Sequence, residues 1–329
     1  MKKIFILSSV LLLLAACDTD FDVNAQWQET TVIYGLLDAS TDTQYIKINK
    51  AFLGEGDAMM MAQYSDSLNF NPNHLEVRLH KLTFLPLLSS YDTLMSITLD
   101  TTIVDKQDGL FAVDNNIIYR AVVPSGFLRN EYVYAISVEN LVSGNKVSSI
   151  TEVISNFTFT SFNSATKLGF YNPSQPDSAK YRSKTMLWDK VKNGMIYQLD
   201  VRFNYLEDGI LKSLLWSQEQ VAFSGSTTMN VKLEGEKFFN FLALNLSSNN
   251  VTRQFSDLDL VMTVGTENLD TYIRVNEPLT GIAQQRPQYT NIYNGIGIFS
   301  SRYTHTEAGI NLSNDTRDYL IEELDRGFQ

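Results

Sequence analysis

The chain has 329 residues, with 26 Lys and Arg against 37 Asp and Glu, a formal net charge of −11, and one cysteine. This balance lacks the basic clusters of a nucleic-acid binder and opposes adsorption of the body to an anionic membrane. A lone cysteine excludes an intrachain disulfide, so a chain long enough for two domains has to be held by packing.

The first stretch carries the clearest signal. Lys2 and Lys3 precede an apolar run from Ile4 to Leu14, followed by Leu14-Ala15-Ala16-Cys17. The order is that of a secretory signal, and the run falls short of the roughly 20 apolar residues that span a bilayer. A plain signal peptide has no need of Cys17. Leu-Ala-Ala-Cys resembles the bacterial lipobox. That resemblance implies that residues 1–16 are removed as a lipoprotein signal peptide and that Cys17 is multiply acylated. Acyl chains contribute about 0.8 kcal/mol per buried methylene, and stable anchoring takes more than one chain.

Residues 17–27 read as an acidic tether, poor in apolar side chains. Asp18, Asp20 and Asp22 resemble the export signal of surface lipoproteins of the Bacteroidota. The implied location is the outer membrane, lipid-anchored and facing outward from the cell. Asp18, Asp20, Asp22, Asn24 and Glu29 also fall near calcium-loop spacing, but Val23 stands where a glycine is needed, and flanking helices are not evident.

Residues 28–155 are expected to form a β-sandwich of the Ig-like kind. Thr31–Asp38 opens it, and Tyr45–Lys50 alternates apolar and polar residues as a half-buried strand does. Leu75–Leu79, Ser96–Leu99, Ile117–Val123, Tyr132–Val138 and Lys146–Ile154 follow, separated by turn residues. The insertion from Gly54 to Pro72 is long for a hairpin loop, and such loops are often functional. Its Met59, Met60, Met61 and Tyr64 form either an adaptable apolar contact surface or a short helix folded onto the sheet.

Residues 156–329 are expected to form a second β-rich domain, fibronectin-like with short helices. Tyr171–Asp177 is a Pro-containing link. Thr185–Trp188, the Asn193-Gly194 turn and Met195–Tyr205 read as strand, turn and strand, with Trp188 as a core anchor between sheets. Leu211–Trp216 and Val221–Phe223 extend the sheet. Lys237–Asn245 reads as a helix over it, Leu258–Val264 as a strand, Asn268–Val275 as a short helix and Asp315–Leu324 as a C-terminal amphipathic helix.

Tyr289-Thr-Asn-Ile-Tyr-Asn-Gly-Ile-Gly-Ile-Phe299, with the Thr31–Leu37 and Thr185–Trp188 strands, resembles a large family of uncharacterised Bacteroidota outer-membrane lipoproteins, a domain of unknown function. Genes of that family often lie near those of TonB-dependent transporters, which implies a partner role beside an outer-membrane β-barrel protein. The family supplies no catalytic residue. In the motif itself, Asn294-Gly295 is a turn dipeptide and Gly297 permits close backbone approach. The expected role is a turn closing the second domain's sheet, with Asn291 and Asn294 as the polar groups of a ligand loop otherwise.

The chemistry-bearing residues do not assemble into a familiar catalytic motif. His74, His80 and His305 lack metal-ligand spacing, and there is no phosphate loop, dinucleotide fingerprint or nucleophile elbow. Glu207-Asp208 and Glu322-Glu323 read as exposed charge. Ser67, Thr93, Thr101 and Ser178 sit in Asp-Ser/Thr-apolar triplets that resemble O-glycosylation sites of exported Bacteroidota proteins. The expectation is a non-enzymatic binding or assembly component without a cofactor or metal. The alternatives are a glycan- or peptide-binding module working through the abundant aromatics, or a hydrolase.

Overall fold

The computed structural model describes residues 30–51, 60, 62–105, 116–162, 165–247, 251–277 and 288–329. The fold is mostly β and built from several sheets. Alternation builds its first strands. In β1 (Thr30–Asp38) Ile33 and Leu37 point inward, and in β2 (Thr43–Ala51) Ile46 and Ile48 do, while Tyr34 and Tyr45 face outward. β1 and β2 pair antiparallel with Ile33 opposite Ile48. β6 (Ile117–Val122) then pairs with β2, and β5 (Asp100–Ile103) with β6.

A separate four-stranded sheet has the order β4-β3-β7-β8, formed by β3 (Leu75–Leu85), β4 (Ser90–Thr98), β7 (Val133–Asn140) and β8 (Lys146–Glu152). Leu79, Ile136 and Val138 from this sheet share one core with Ile33, Ile46 and Ile48 from the other. Two facing sheets bury more apolar surface than either could alone. The turn into β7 is fastened by Tyr134, whose hydroxyl donates to the Phe127 carbonyl at 2.6 Å and accepts from the Arg129 N–H at 2.8 Å. Burial pushes this phenol up to about 12.

The C-terminal part has its own core. β9 (Ser183–Asp189) pairs with β13 (Thr228–Glu234). β10 (Ile196–Glu207) pairs with β11 (Ile210–Ser217), with β12 (Val221–Ala222) and with β14 (Arg253–Gly265). Chain order adds α1 (Ser65–Leu68) in the N-terminal insertion, then α2 (Gly235–Asn245), α3 (Glu267–Asn276) and α4 (Asn314–Glu322). Phe170 stacks on Phe238 of α2 at 4.4 Å between ring centres, and Trp188 is fully buried against Phe157 and Tyr197. Tyr197 repeats the fastening of Tyr134, its hydroxyl accepting the Val191 N–H at 3.1 Å.

One sheet joins the two cores, in the order β11-β10-β14-β15-β1-β2-β6-β5. Its joint is β15 (Ile296–Ile310). From Ile296 to Arg302 this strand runs parallel to β1, with Phe299 opposite Gly35. From Arg302 to Ile310 it runs antiparallel to β14, with His305 opposite Met262. Phe299 enters the first core and Ile310 the second. Apart from Ile292, which joins Phe299 in the first core, the clusters divide along the chain between Val153 and Ile154.

This placement differs from the expected turn closing the second domain's own sheet. The reason lies at β1, whose edge away from β2 would otherwise be unpaired and exposed. Gly297 makes the pairing possible. Its φ is +111°, and a Cβ there would lie 2.1 Å from the Ile33 carbonyl oxygen.

Candidate functional site

Cys17, Asp18, Asp20, Asp22, Met59 and Met61 lie outside the described residues. Met60 and Tyr64 are exposed, so neither folds onto the sheet in the way a helical cover would require. Thr93, Thr101 and Ser178 are exposed as well, on β4, β5 and the link before β9, and Ser67 is half-buried in α1.

Asn291 and Asn294 do not present free amides to a ligand. Asn291 clamps the start of β15: its Nδ2 donates to the Phe299 carbonyl at 2.6 Å, and its Oδ1 accepts the Phe299 N–H at 2.9 Å. Asn294 adopts a φ of +56° and donates to Asn145 Oδ1 and to the Lys146 carbonyl. Tyr293, between them, bridges to Ser148 of β8. The motif therefore laces β15 to the second sheet of the first core, and its asparagines are spent on that lacing.

Glu207 departs from its reading as loop charge. It ends β10 and faces Arg253, a side chain only 1% exposed. Arg253 Nη2 lies 2.6 Å from Glu207 Oε2, and Arg253 Nε donates to the same oxygen at 2.8 Å, while Lys212 pairs with Oε1. The bond from Lys212, then that from Arg253, holds the Glu207 carboxyl below its ordinary value. A general acid of glycoside hydrolysis needs the opposite shift. Among the described residues, no three His, Cys, Asp or Glu gather to hold a metal ion. No helix among them is long and apolar enough to cross a membrane.

Two surfaces stand out. The first is a cleft of about 330 Å³ where α3 crosses the outer face of β1 and β15. Tyr34 of β1 and Tyr272 of α3 form one wall, with rings 6.5 Å apart and edge to face at 75°. Tyr289 lines it too, its hydroxyl donating to Asn268 Oδ1 at 2.7 Å. The polar lining comes from Asn276, Gln288 and Thr290, and the floor from Ile296 and Gly297. Among the described residues, no Asp, Glu, Lys, Arg or His lines it. Burial pushes the Tyr272 phenol up, helped by the neighbouring Tyr34, and burial also raises Tyr289. The phenols therefore stay neutral and hydrogen-bond competent at physiological pH.

The second is the β3–β4 hairpin. Leu87 at its tip is 99% exposed and Leu88 71%, backed by exposed Phe84 and Tyr91 whose rings lie 5.3 Å apart. The turn satisfies its own backbone through Leu88 N–H to the Leu85 carbonyl at 3.1 Å. No charged side chain occurs between Phe84 and Tyr91. Exposed apolar patches of this kind mark contact surfaces.

Sequence reasoning missed both. Tyr34 and Tyr45 were legible as aromatics at the outward positions of alternating strands, where polar residues are the norm. Tyr272 was not, because nothing local places α3 over β1. Phe84-Leu-Pro-Leu-Leu88 was legible as an apolar run around a turn-forming proline.

The geometry defines a mostly β, multi-sheet protein with two cores on one shared sheet, a neutral tyrosine-lined cleft and an apolar hairpin. No protein-family model and no curated protein matches the chain. Among solved structures, a crystal structure of the CFA/I enterotoxigenic E. coli adhesin CfaE is similar at a TM-score of 0.15 and 8% identity, over 87% of this chain and 94% of that one. A likeness that slight bears on neither fold nor function.

Proposed function

We propose that the protein is a surface-exposed outer-membrane lipoprotein, anchored through lipid on Cys17, that acts as a non-enzymatic binding or assembly component beside a TonB-dependent transporter. Placement is argued from Leu14-Ala15-Ala16-Cys17 and from Asp18, Asp20 and Asp22. The partner role is carried by the uncharged tip of the β3–β4 hairpin, whose exposed leucines cost the folded protein solubility and suit a contact made elsewhere. On this reading residues 28–155 form an Ig-like sandwich. The Tyr134 fastening supports it, since the same device marks that topology. Residues 156–329 form a fibronectin-like second domain with Trp188 as its anchor. Ser67, Thr93, Thr101 and Ser178 are the O-glycan acceptors, and intact mass without added hexoses would remove them.

The test is affinity capture of the full-length protein from detergent-solubilised outer membranes. Stoichiometric co-purification of a β-barrel protein, lost when Leu87 and Leu88 are both changed to Ser, is the expected result. Recovery of the protein alone would overturn the partner role. A second reading, a glycan- or peptide-binding surface module, is favoured by the tyrosine cleft.

A further inference from the structure

We infer that the cleft between α3 and β1 is a binding site for a neutral saccharide, entered by one sugar ring, with the rest of the chain lying across the outer face of β1 and β2. This rests on reading the protein as a binding module and names that module's ligand class.

The lining chemistry separates the candidates. A pyranose alternates apolar C–H faces with hydroxyls. It is met by ring faces for the former and by neutral donors and acceptors for the latter. The cleft offers both: the rings of Tyr34, Tyr272 and Tyr289, and the side chains of Asn276, Gln288 and Thr290. The Asn276 amide donates to the Tyr272 main-chain carbonyl one turn back at 2.8 Å, which fixes the carboxamide against α3. Among the described residues the lining offers no counter-charge to a sugar acid, phosphate or cationic ligand, whose burial there would be costly. An extended peptide gains its affinity from a free strand edge, and β1 has none here, since β2 and β15 occupy both sides. An acyl chain would strand the carboxamides. At about 330 Å³ the volume sits at the small end of ligand pockets, which suits one ring better than a whole oligomer.

The sheet supplies a continuation. Tyr34 lies opposite Lys47 on β2, which places Tyr45, two residues away on the same outward face, diagonal to it. Diagonal neighbours on a sheet are about 7–8 Å apart, within reach of aromatic side chains. Tyr45 is half exposed. Lys47 between them turns its ammonium to Asn69, Asn116 and the Ile117 carbonyl. Tyr34 and Tyr45 thus form an aromatic strip leading out of the cleft, with the exposed Arg120 of β6 opposite Tyr45 at its far end.

The experiment uses the full-length lipidated protein in detergent, probed on an array of neutral oligosaccharides and of polygalacturonate, with affinities then measured by calorimetry. The expected result is binding of at least one neutral oligosaccharide and none of polygalacturonate. Tyr34→Ala and Tyr272→Ala should each weaken binding about tenfold, as loss of one aromatic contact does. Tyr34→Phe, which keeps the ring, should retain most of it. Tyr181→Ala, a partly exposed tyrosine beside Tyr319 on the second core, should change nothing. No neutral ligand on the array, binding unaffected by Tyr34→Ala and Tyr272→Ala in variants that unfold like the wild type, or loss in Tyr181→Ala instead would each overturn the assignment. The readout needs no membrane partner, so it stands or falls apart from the affinity capture above.

Discussion

Gly297→Ala should be among the most damaging single-methyl additions in the chain. Two costs combine at this residue. A side chain at φ +111° is strained by about 1–3 kcal/mol. The new Cβ would also stand 2.1 Å from the Ile33 carbonyl oxygen, so β15 must move off β1. Lifting one or two rungs forfeits about 0.5–1.5 kcal/mol each, for a total of about 3 kcal/mol. Gly309→Ala is the matched control, because its φ is also positive at +74° but nothing lies within 4 Å of the added methyl. It should cost about 1 kcal/mol. Denaturant unfolding of both full-length variants, followed by far-UV dichroism and tryptophan fluorescence, gives the comparison. A gap of about 2 kcal/mol between them supports β15 as the strand joining the cores. Equal losses would refute the close approach of β15 to β1.

Trp188→Ala should destabilise by about 3–5 kcal/mol, as large-to-small changes in a full core do. Trp188→Phe should cost far less, because the indole N–H has no hydrogen-bond partner to lose; unfolding midpoints that fall equally for both would contradict this. Glu207 is held below its unfolded value of 4.5, so its contribution is complete above pH 4.5 and is lost as pH falls through the folded value. Wild type should therefore lose stability on acidification more steeply than Glu207→Gln, measured as thermal midpoints between pH 6 and about 3; parallel curves would exclude the ion pair. Asn291→Ala removes both bonds to Phe299 and should cost about 2 kcal/mol. It should leave oligosaccharide affinity unchanged, and a specific loss of binding would return Asn291 to the ligand site.

Local periodicity made the elements legible. Tyr45–Lys50 and Asp315–Leu324 each carry a pattern that one element satisfies by itself, and β2 and α4 occur there, while Lys237–Asn245, an apolar stretch with no clear period, forms α2. Trp188 was readable as core from size and context alone. What stayed hidden depends on pairing across the chain. Nothing within Asn291–Phe299 states that its strand will lie beside residues some 260 positions earlier, yet that is what assigns the asparagines to lacing. Glu207 likewise shows its role only when Arg253 arrives from β14. The cleft is hidden for the same reason, since Tyr34 and Tyr272 meet through the third dimension.

Attachment through the sulfur of Cys17 is tested most directly by intact-mass and fractionation analysis of cells making the wild type and Cys17→Ala. The expected wild-type protein begins at Cys17, carries the added mass of acyl chains and sediments with outer membranes after a high-salt wash. Cys17→Ala should lack the acyl mass and leave that fraction. Normal processing and retention of Cys17→Ala would contradict the anchor, and with it the surface placement.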